Sequence, residues 1–495
     1  MRLGDFLVAR RIVTREQIDV ALERQRDAGG QLGEHLISMG LLDERQLAEA
    51  LSYFPQPPRT LEDTGLSQSF LLGHALKLFN ALGLETIQHL SEAIKLPATL
   101  CGQIIDIMRE RGLLQVLGAA PGADGASLSG KGSADVRNTL TAKGRQWAAE
   151  ATEQCQYVGP APVPLEEWIA RVRTQSILAE SINRDVLGRN LSHMVLPEGF
   201  LDEIGPAVNS GRSMLIYGPP GNGKTTMAEG IGSAFASVVF IPYALEIDGE
   251  IIKFHDVTLH KRATETDDDA PRSLIRRRTE SLDERWVPSK RPVIVVGGEL
   301  GLDMLEMSFN EISKFYEAPL HMKATNGVLL IDDFGRQRVE PKDLLNRWIV
   351  PLEKRVDYLT LRTGKTIQIP FDELLVFSTN LIPENLMDDA FLRRIPYKVE
   401  INHPSRQMYE EIFRLVCRNY GLSLPDDLIP FIYDIYYARN GKPLAAHHPK
   451  FICERVQDMC RYLGVQPELR REYVLYALRN LSSNSEDARR LAAAA

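Results

Sequence analysis

The chain has 495 residues, 44% of them hydrophobic and 25% charged, with a formal net charge of −8 and a pI near 5.8. That length exceeds one hydrophobic core and predicts about three domains, while the acidic balance excludes a nucleic-acid binder acting through overall charge. The five cysteines form no CxxC pair, which argues against a disulfide framework or a cysteine-ligated zinc site.

No apolar run reaches the roughly 18 residues of a membrane span, and the start of the chain lacks a signal-peptide core. The sequence therefore predicts a cytoplasmic protein. Its first 54 residues are a tandem duplication, RLGDFLVARRIV at Arg2 returning as QLGEHLISMGLL at Gln31. Leu3, Gly4 and Leu7 recur as Leu32, Gly33 and Leu36, and Gln17, Ala21 and Leu22 recur as Gln46, Ala50 and Leu51. One supersecondary unit has been copied. Residues 55–66 (PQPPRTLEDTG and its neighbour) have the proline-rich, polar composition of a linker.

From 67 to 153 three amphipathic helical segments are followed by LLQVLG, a Gly/Ala/Ser-rich tip (118–134) and VRNTLTAKGRQWAAEA. The expected order is three helices, a strand, a flexible tip, a returning strand and a helix. Between Ser67 and Glu150 eight Lys/Arg stand against seven Asp/Glu. This is too even for strong phosphate binding, so DNA reading and protein docking both remain open. Residues 154–180 include a second proline-rich connection. From 181 to 403, SMLIYG, SVVFIP, GVLLID, LLVFST and PYKVEI read as short buried strands of a parallel, doubly wound sheet. Residues 404–481 are helical, as a lid would be, and 482–495 form a tail.

After the strand SMLIY comes GPPGNGKTT: Gly218, Pro219, Pro220, Gly221, Asn222, Gly223, Lys224, Thr225 and Thr226. The pattern G-x-x-x-x-G-K-[ST] between a strand and a helix lets glycine amides converge on phosphates at a helix N-terminus. Lys224 is placed to reach the β- and γ-phosphates, and the Thr225 hydroxyl to ligate Mg²⁺. In GVLLIDDFGRQ four apolar residues end at Asp332 and Asp333. Asp332 is suited to hold Mg²⁺, and Asp333 to orient an attacking water.

GPPGNGKTT, LLIDD, VFSTN and DDAFLRRIPYKVEI, in this order and before a helical segment, resemble the AAA+ ATPase family over roughly residues 180–480. The resemblance implies ATP and Mg²⁺ as cofactors and a homo-oligomer, usually a hexameric ring. It implies Asn380 as the sensor-1 residue, Arg393 and Arg394 as the box carrying an arginine finger that acts in trans, and Lys450 (with Arg455 as the alternative) as the sensor-2 cation. Asp333 stands where that family usually has glutamate. The segment 67–153 resembles a winged-helix domain. With no HExxH or GxSxG, an action on polypeptide would be remodelling of a partner, not cleavage.

The repeat resembles the MshEN-type domain at the N-terminus of type II secretion and type IV pilus ATPases. That resemblance implies a cyclic di-GMP site at Arg2, Leu3, Gly4, Leu7, Gln25, Leu32, Gly33, Leu36 and Gly40. Arg11, Gln31 and Phe54 depart from the pattern, which leaves a docking module as the other reading. The charged insert 258–286 reads as a solvated face or a partner loop, and His447 and His448 as capping or packing groups of the lid.

Overall fold

The computed structural model describes residues 3–9, 12–119, 136–263, 282–439 and 441–481. Arg2, Arg11, most of the expected wing tip, most of the charged insert and the tail lie outside the described residues.

The repeat forms two helix pairs, α1 (Leu3–Ala9) with α2 (Arg15–Ala28) and α3 (Leu32–Ser38) with α4 (Glu44–Ser52). The return of Gln17 as Gln46 has a local cause. Thr14 with Gln17 and Asp43 with Gln46 each close a capping box at the start of α2 and α4, an arrangement worth about 1 kcal/mol apiece. The next unit contains α5 (Gln68–Leu82), α6 (Ile87–Ile94), α7 (Ala98–Glu110), β1 (Leu114–Ala119), β2 (Val136–Leu140) and α8 (Ala142–Gln154). Its strands pair antiparallel, and Leu76, Leu90, Ile105 and Leu113 lie in one apolar core.

Residues 154–180 do more than connect. They contain β3 (Val163–Pro164) and α9 (Leu165–Thr174), with Trp168 and Val172 buried. Then come α10 (Arg184–Asn190), α11 (Phe200–Ser210), β4 (Met214–Tyr217), α12 (Lys224–Ala234), β5 (Val238–Pro242), β6 (Ala244–Ile247), β7 (Glu250–Lys253), β8 (Trp286–Lys290) and β9 (Val293–Val296). They are followed by β10 (Ser308–Asn310), β11 (Phe315–Glu317), α13 (Leu320–Lys323), β12 (Val328–Ile331), α14 (Pro341–Arg347), α15 (Ile349–Lys354), β13 (Val356–Thr360), β14 (Thr366–Pro370), β15 (Leu374–Thr379), α16 (Asp389–Leu392) and β16 (Tyr397–Glu400).

The central sheet has the order β16-β4-β15-β12-β9, and every pairing in it is parallel. The inner strands β4, β15 and β12 are buried as near-continuous apolar runs because helices cover the faces, while the edge strands β16 and β9 are only partly buried. One expected strand is absent from it. SVVFIP folds as β5, antiparallel to β8 in a separate two-stranded sheet, and the edge strand of the central sheet is instead β9, from RPVIVVGG. The reason lies in tertiary packing. Phe240 on β5 stands 6.1 and 5.9 Å from the rings of Tyr53 and Phe54, so this strand is held by the N-terminal repeat.

That contact is extensive. Phe6, Leu7, Leu36, Tyr53 and Phe54 belong to one apolar cluster with Trp168, Val239, Phe240 and Trp286. The Tyr53 hydroxyl donates to the Val238 carbonyl at 2.6 Å, and the Arg171 guanidinium donates to the Tyr53 carbonyl at 2.5 Å. A second five-stranded sheet, β10-β11-β7-β6-β3, completes this layer. The lid consists of α17 (Arg406–Asn419), α18 (Leu428–Ile432), a π-turn over Tyr433–Ala438, α19 (His448–Leu463) and α20 (Arg471–Leu481), around Phe413, Ile432, Val456 and Leu478. No helix among the described residues is long and apolar enough to cross a membrane.

Candidate nucleotide site

The loop 218–226 leaves the carboxyl end of β4 and runs into α12, whose N-cap is Gly223. Gly218, Gly221 and Gly223 have φ of 135°, 77° and 84°, a region open to glycine and costly for other residues. Space imposes the same requirement. A Cβ on Gly218 would stand 2.2 Å from the Ile401 carbonyl oxygen, and one on Gly223 2.8 Å from Met194.

Lys224 is only 6% exposed. Its ammonium donates to the carbonyls of Gly218 and Pro219, each at 2.9 Å, and to Asn380 Oδ1 at 2.6 Å. Burial pushes its pKa below the usual lysine range, against the pull of Asp333 and Asp332. Thr225 Oγ1 donates to Asp332 Oδ2 at 2.8 Å, and Asn380 Nδ2 donates to Asp333 Oδ1 at 2.8 Å. Asn380 therefore bridges the lysine and the second acid. Adjacent parallel strands explain the convergence: β4, β15 and β12 are neighbours, and their carboxyl ends deliver the loop, Asn380 and the acid pair to one edge.

Asp333 has φ of 48°, a left-handed backbone that aspartate tolerates better than most residues, and its carboxylate is exposed. Gln337, not singled out from the sequence, holds this turn. Its Nε2 donates to the Asp332 carbonyl at 2.9 Å and the Asp333 carbonyl at 3.2 Å, while its Oε1 accepts from the Gly335 amide at 2.8 Å. The only sequence signal was its place in DDFGRQ.

Arg393 and Arg394 follow α16 and precede β16, so they stand at the amino edge of the sheet, opposite Lys224. They line a cavity of about 510 Å³ with Arg212, Ser213, Arg355 and Glu373, and Arg394 Nε donates to Glu353 at 2.6 Å. Lys450 is exposed, 4.0 Å from Glu454, and Arg455 is paired with Asp458 at 3.0 Å. The lid meets the phosphate loop elsewhere: the amides of His447 and Ala446 donate to the Gly221 carbonyl (3.0 Å) and Asn222 Oδ1 (3.1 Å).

In the repeat, Leu7 and Leu36 are 0% exposed, and Leu3 and Leu32 are half-buried. A Cβ on Gly4 would stand 3.0 Å from Ile18, and one on Gly33 2.7 Å from Leu47. Gln25 Nε2 donates to the Gly30 carbonyl at 2.9 Å, and Gly40 has φ of 67° with open space around it.

A five-stranded parallel sheet thus carries a glycine-rich loop after its second strand in spatial order and paired acids at the end of a strand two places away, and brings both to one edge. A family described as a domain of unknown function, DUF8689, matches residues 405–480. The type IV pilus assembly ATPase PilB of Thermus thermophilus is 46% identical over 50 residues, which is 10% of this chain and 6% of that protein. Among solved structures, NtrX from Brucella abortus superposes with a TM-score of 0.36 at 12% identity over 61% of this chain and 59% of that one. RuvB from Thermotoga maritima gives 0.32 at 15% identity, over 63% and 74%. Domain III of the replication initiation protein DnaA from Thermotoga maritima gives 0.33 at 14%, over 62% and 100%.

Proposed function

We propose that this chain is an ATP-hydrolysing AAA+ enzyme that remodels or regulates a protein partner. The observation that carries this reading is the convergence of Lys224, Thr225, Asp332, Asp333 and Asn380 at one sheet edge. The donor set fits MgATP. A hydroxyl and a carboxylate oxygen 2.8 Å apart are hard oxygen ligands of the kind Mg²⁺ takes, and a buried ammonium inside a glycine loop suits a terminal phosphate. The metal, when bound, neutralises charge developing on the phosphate oxygens. Lys224 binds the β/γ oxygens, Thr225 and Asp332 hold the metal, and Asp333 orients water with Asn380 fixing its carboxylate. Phosphate release from MgATP by the full chain tests the reading, with Lys224→Ala as the control. Activity equal in both proteins would end it.

Arg393 and Arg394 lie at the opposite edge of the sheet, so they reach a nucleotide only on a second copy of the chain. That placement supports a homo-oligomer, with a hexameric ring as the family-based expectation. For the 67–153 unit, read as a winged helix, the geometry favours docking over DNA reading. Arg137 is held by Glu85 at 2.7 Å and Arg109 by Asn138 at 2.9 Å, so two of its cations are engaged within the protein.

A second reading concerns ligand gating. The repeat's resemblance to the MshEN type supports cyclic di-GMP binding by the N-terminal repeat. The aromatic contact of Phe54 with Phe240 would carry that signal to the ATPase layer. Calorimetric titration of the full chain with cyclic di-GMP is expected to show micromolar binding lost in Arg2→Ala. No heat of binding would leave the repeat as a docking module.

A further inference from the structure

β12 ends at Ile331, and residues 332–335 reverse the chain in a tight turn. Phe334 anchors that turn. Its side chain is wholly buried, with ring centroids 5.1 Å apart from Phe377. Its amide donates to the Ser378 carbonyl at 2.7 Å, and its carbonyl accepts the Thr379 hydroxyl at 2.7 Å. Asp333, just before it, is left exposed at φ of 48°. A left-handed residue other than glycine is costly and persists only where its surroundings hold it.

Gln337 supplies that hold with both ends of one amide. Its Nε2 donates to the Asp332 and Asp333 carbonyls, and its Oε1 accepts the Gly335 amide. The first two carbonyls belong to the peptide units on either side of Asp333, and its φ and ψ are the rotations that relate those units. Bonding both to one side chain therefore fixes them. The consequence is visible at the carboxylate, whose Oδ1 accepts from Asn380 Nδ2 at 2.8 Å. The rest of the site is held by other means: Lys224 by loop carbonyls and Asn380, and the Asp332 carboxylate by Thr225.

We propose that Gln337 is a positioning residue for the hydrolytic step, fixing the two peptide units around Asp333 so that an aspartate, and not a longer acid, meets Asn380. The proposal rests on the ATPase reading above. The turn suits aspartate twice over. Aspartate tolerates the left-handed backbone better than glutamate does, and one further methylene would displace the carboxylate from its 2.8 Å contact with Asn380. Gln337 thus acts on the acid that orients water and leaves the groups that bind MgATP alone.

The test uses the full chain with Gln337→Ala, Gln337→Met, Asp333→Glu and Lys224→Ala. Turnover is taken per mole of bound fluorescent ATP analogue, so that a misfolded fraction does not count as lost catalysis. Steady-state ATPase kinetics are expected to show kcat about tenfold lower in both Gln337 variants, with KM for ATP within about twofold of the parent. Gln337→Met keeps the length of the side chain and removes its hydrogen bonds, so a packing role predicts parent-like turnover from it. Asp333→Glu should fall about tenfold as well. Parent-like kcat in Gln337→Met, a loss confined to KM, or turnover in Asp333→Glu at or above the parent overturns the proposal. If the parent releases no more phosphate than Lys224→Ala, the ATPase reading fails and this proposal with it. A parent well above Lys224→Ala, matched by Gln337→Met, leaves that reading standing and removes only the role of Gln337.

Discussion

Two glycine-bearing motifs begin helices in this chain, and they obey different physics. In the phosphate loop, Gly218, Gly221 and Gly223 take left-handed or related backbone angles, and each would collide with main chain, the His447 ring or Met194 if it gained a Cβ. Those glycines shape a rim that faces outward. In the N-terminal repeat, Gly4 and Gly33 lie within α1 and α3 and are pressed by Ile18 and Leu47, while the leucines three residues on, Leu7 and Leu36, are wholly buried. Packing alone accounts for those four residues. A motif whose residues are already explained by the core demands no ligand, whereas the phosphate loop has no packing reason for a buried lysine beside two acids.

The comparison breaks most visibly at Lys224. Lys224→Ala is expected to lower ATP turnover by at least about 100-fold, close to 2.7 kcal/mol of transition-state stabilisation, with unfolding nearly unchanged. In the repeat the expectation is reversed. Leu36→Ala should destabilise the chain by roughly 3 kcal/mol, as buried leucine truncations do, and leave the KM for ATP of the folded fraction unchanged. Denaturant unfolding paired with kinetics separates the two. Gly33→Ala should cost less, about 1–2 kcal/mol, because the Leu47 methyl groups can give way. If Leu36→Ala or Gly33→Ala removed cyclic di-GMP binding without any loss of stability, the contrast between packing and ligand glycines would be wrong.

The sequence made the loop, the acid pair and Asn380 legible because each follows a short apolar run at a strand's carboxyl end, where parallel neighbours converge. The identity of the edge strand was not legible. SVVFIP and PVIVV are equally apolar, and only the ring contacts of Phe240 with Tyr53 and Phe54 assign the first to the repeat. The buried role of residues 154–180 was hidden for a similar reason: proline-rich composition suggested a linker, while Trp168 and Val172 enter a core shared with distant segments. The sequence reads His447 as a capping or packing group, because its approach to Gly221 depends on how the lid is placed and leaves no local pattern. The same holds for Arg393 and Arg394, whose distance from Lys224 follows from strand direction.

The smallest effect tests the amino edge of the same sheet, where a buried carboxyl lacks the partners that Lys224 has. Glu373 is 1% exposed, and neither carboxyl oxygen has a hydrogen-bond partner. Burial holds its pKa well above the ordinary 4.5, with Arg355 opposing and Asp372 and Asp357 adding to the rise. The folded chain thus keeps a proton that the unfolded chain releases. The stability contributed by this group is complete below about pH 4.5 and falls as pH climbs toward the raised value. Glu373→Gln removes that dependence, so its melting temperature relative to the parent should rise between pH 5 and pH 8, on the order of one or two degrees for a chain this large. A gap that stays constant across that range would mean the carboxyl is ionised in the folded state and paired after all. The cavity it lines with Arg212, Arg355, Arg393 and Arg394 would then hold a smaller excess of cations.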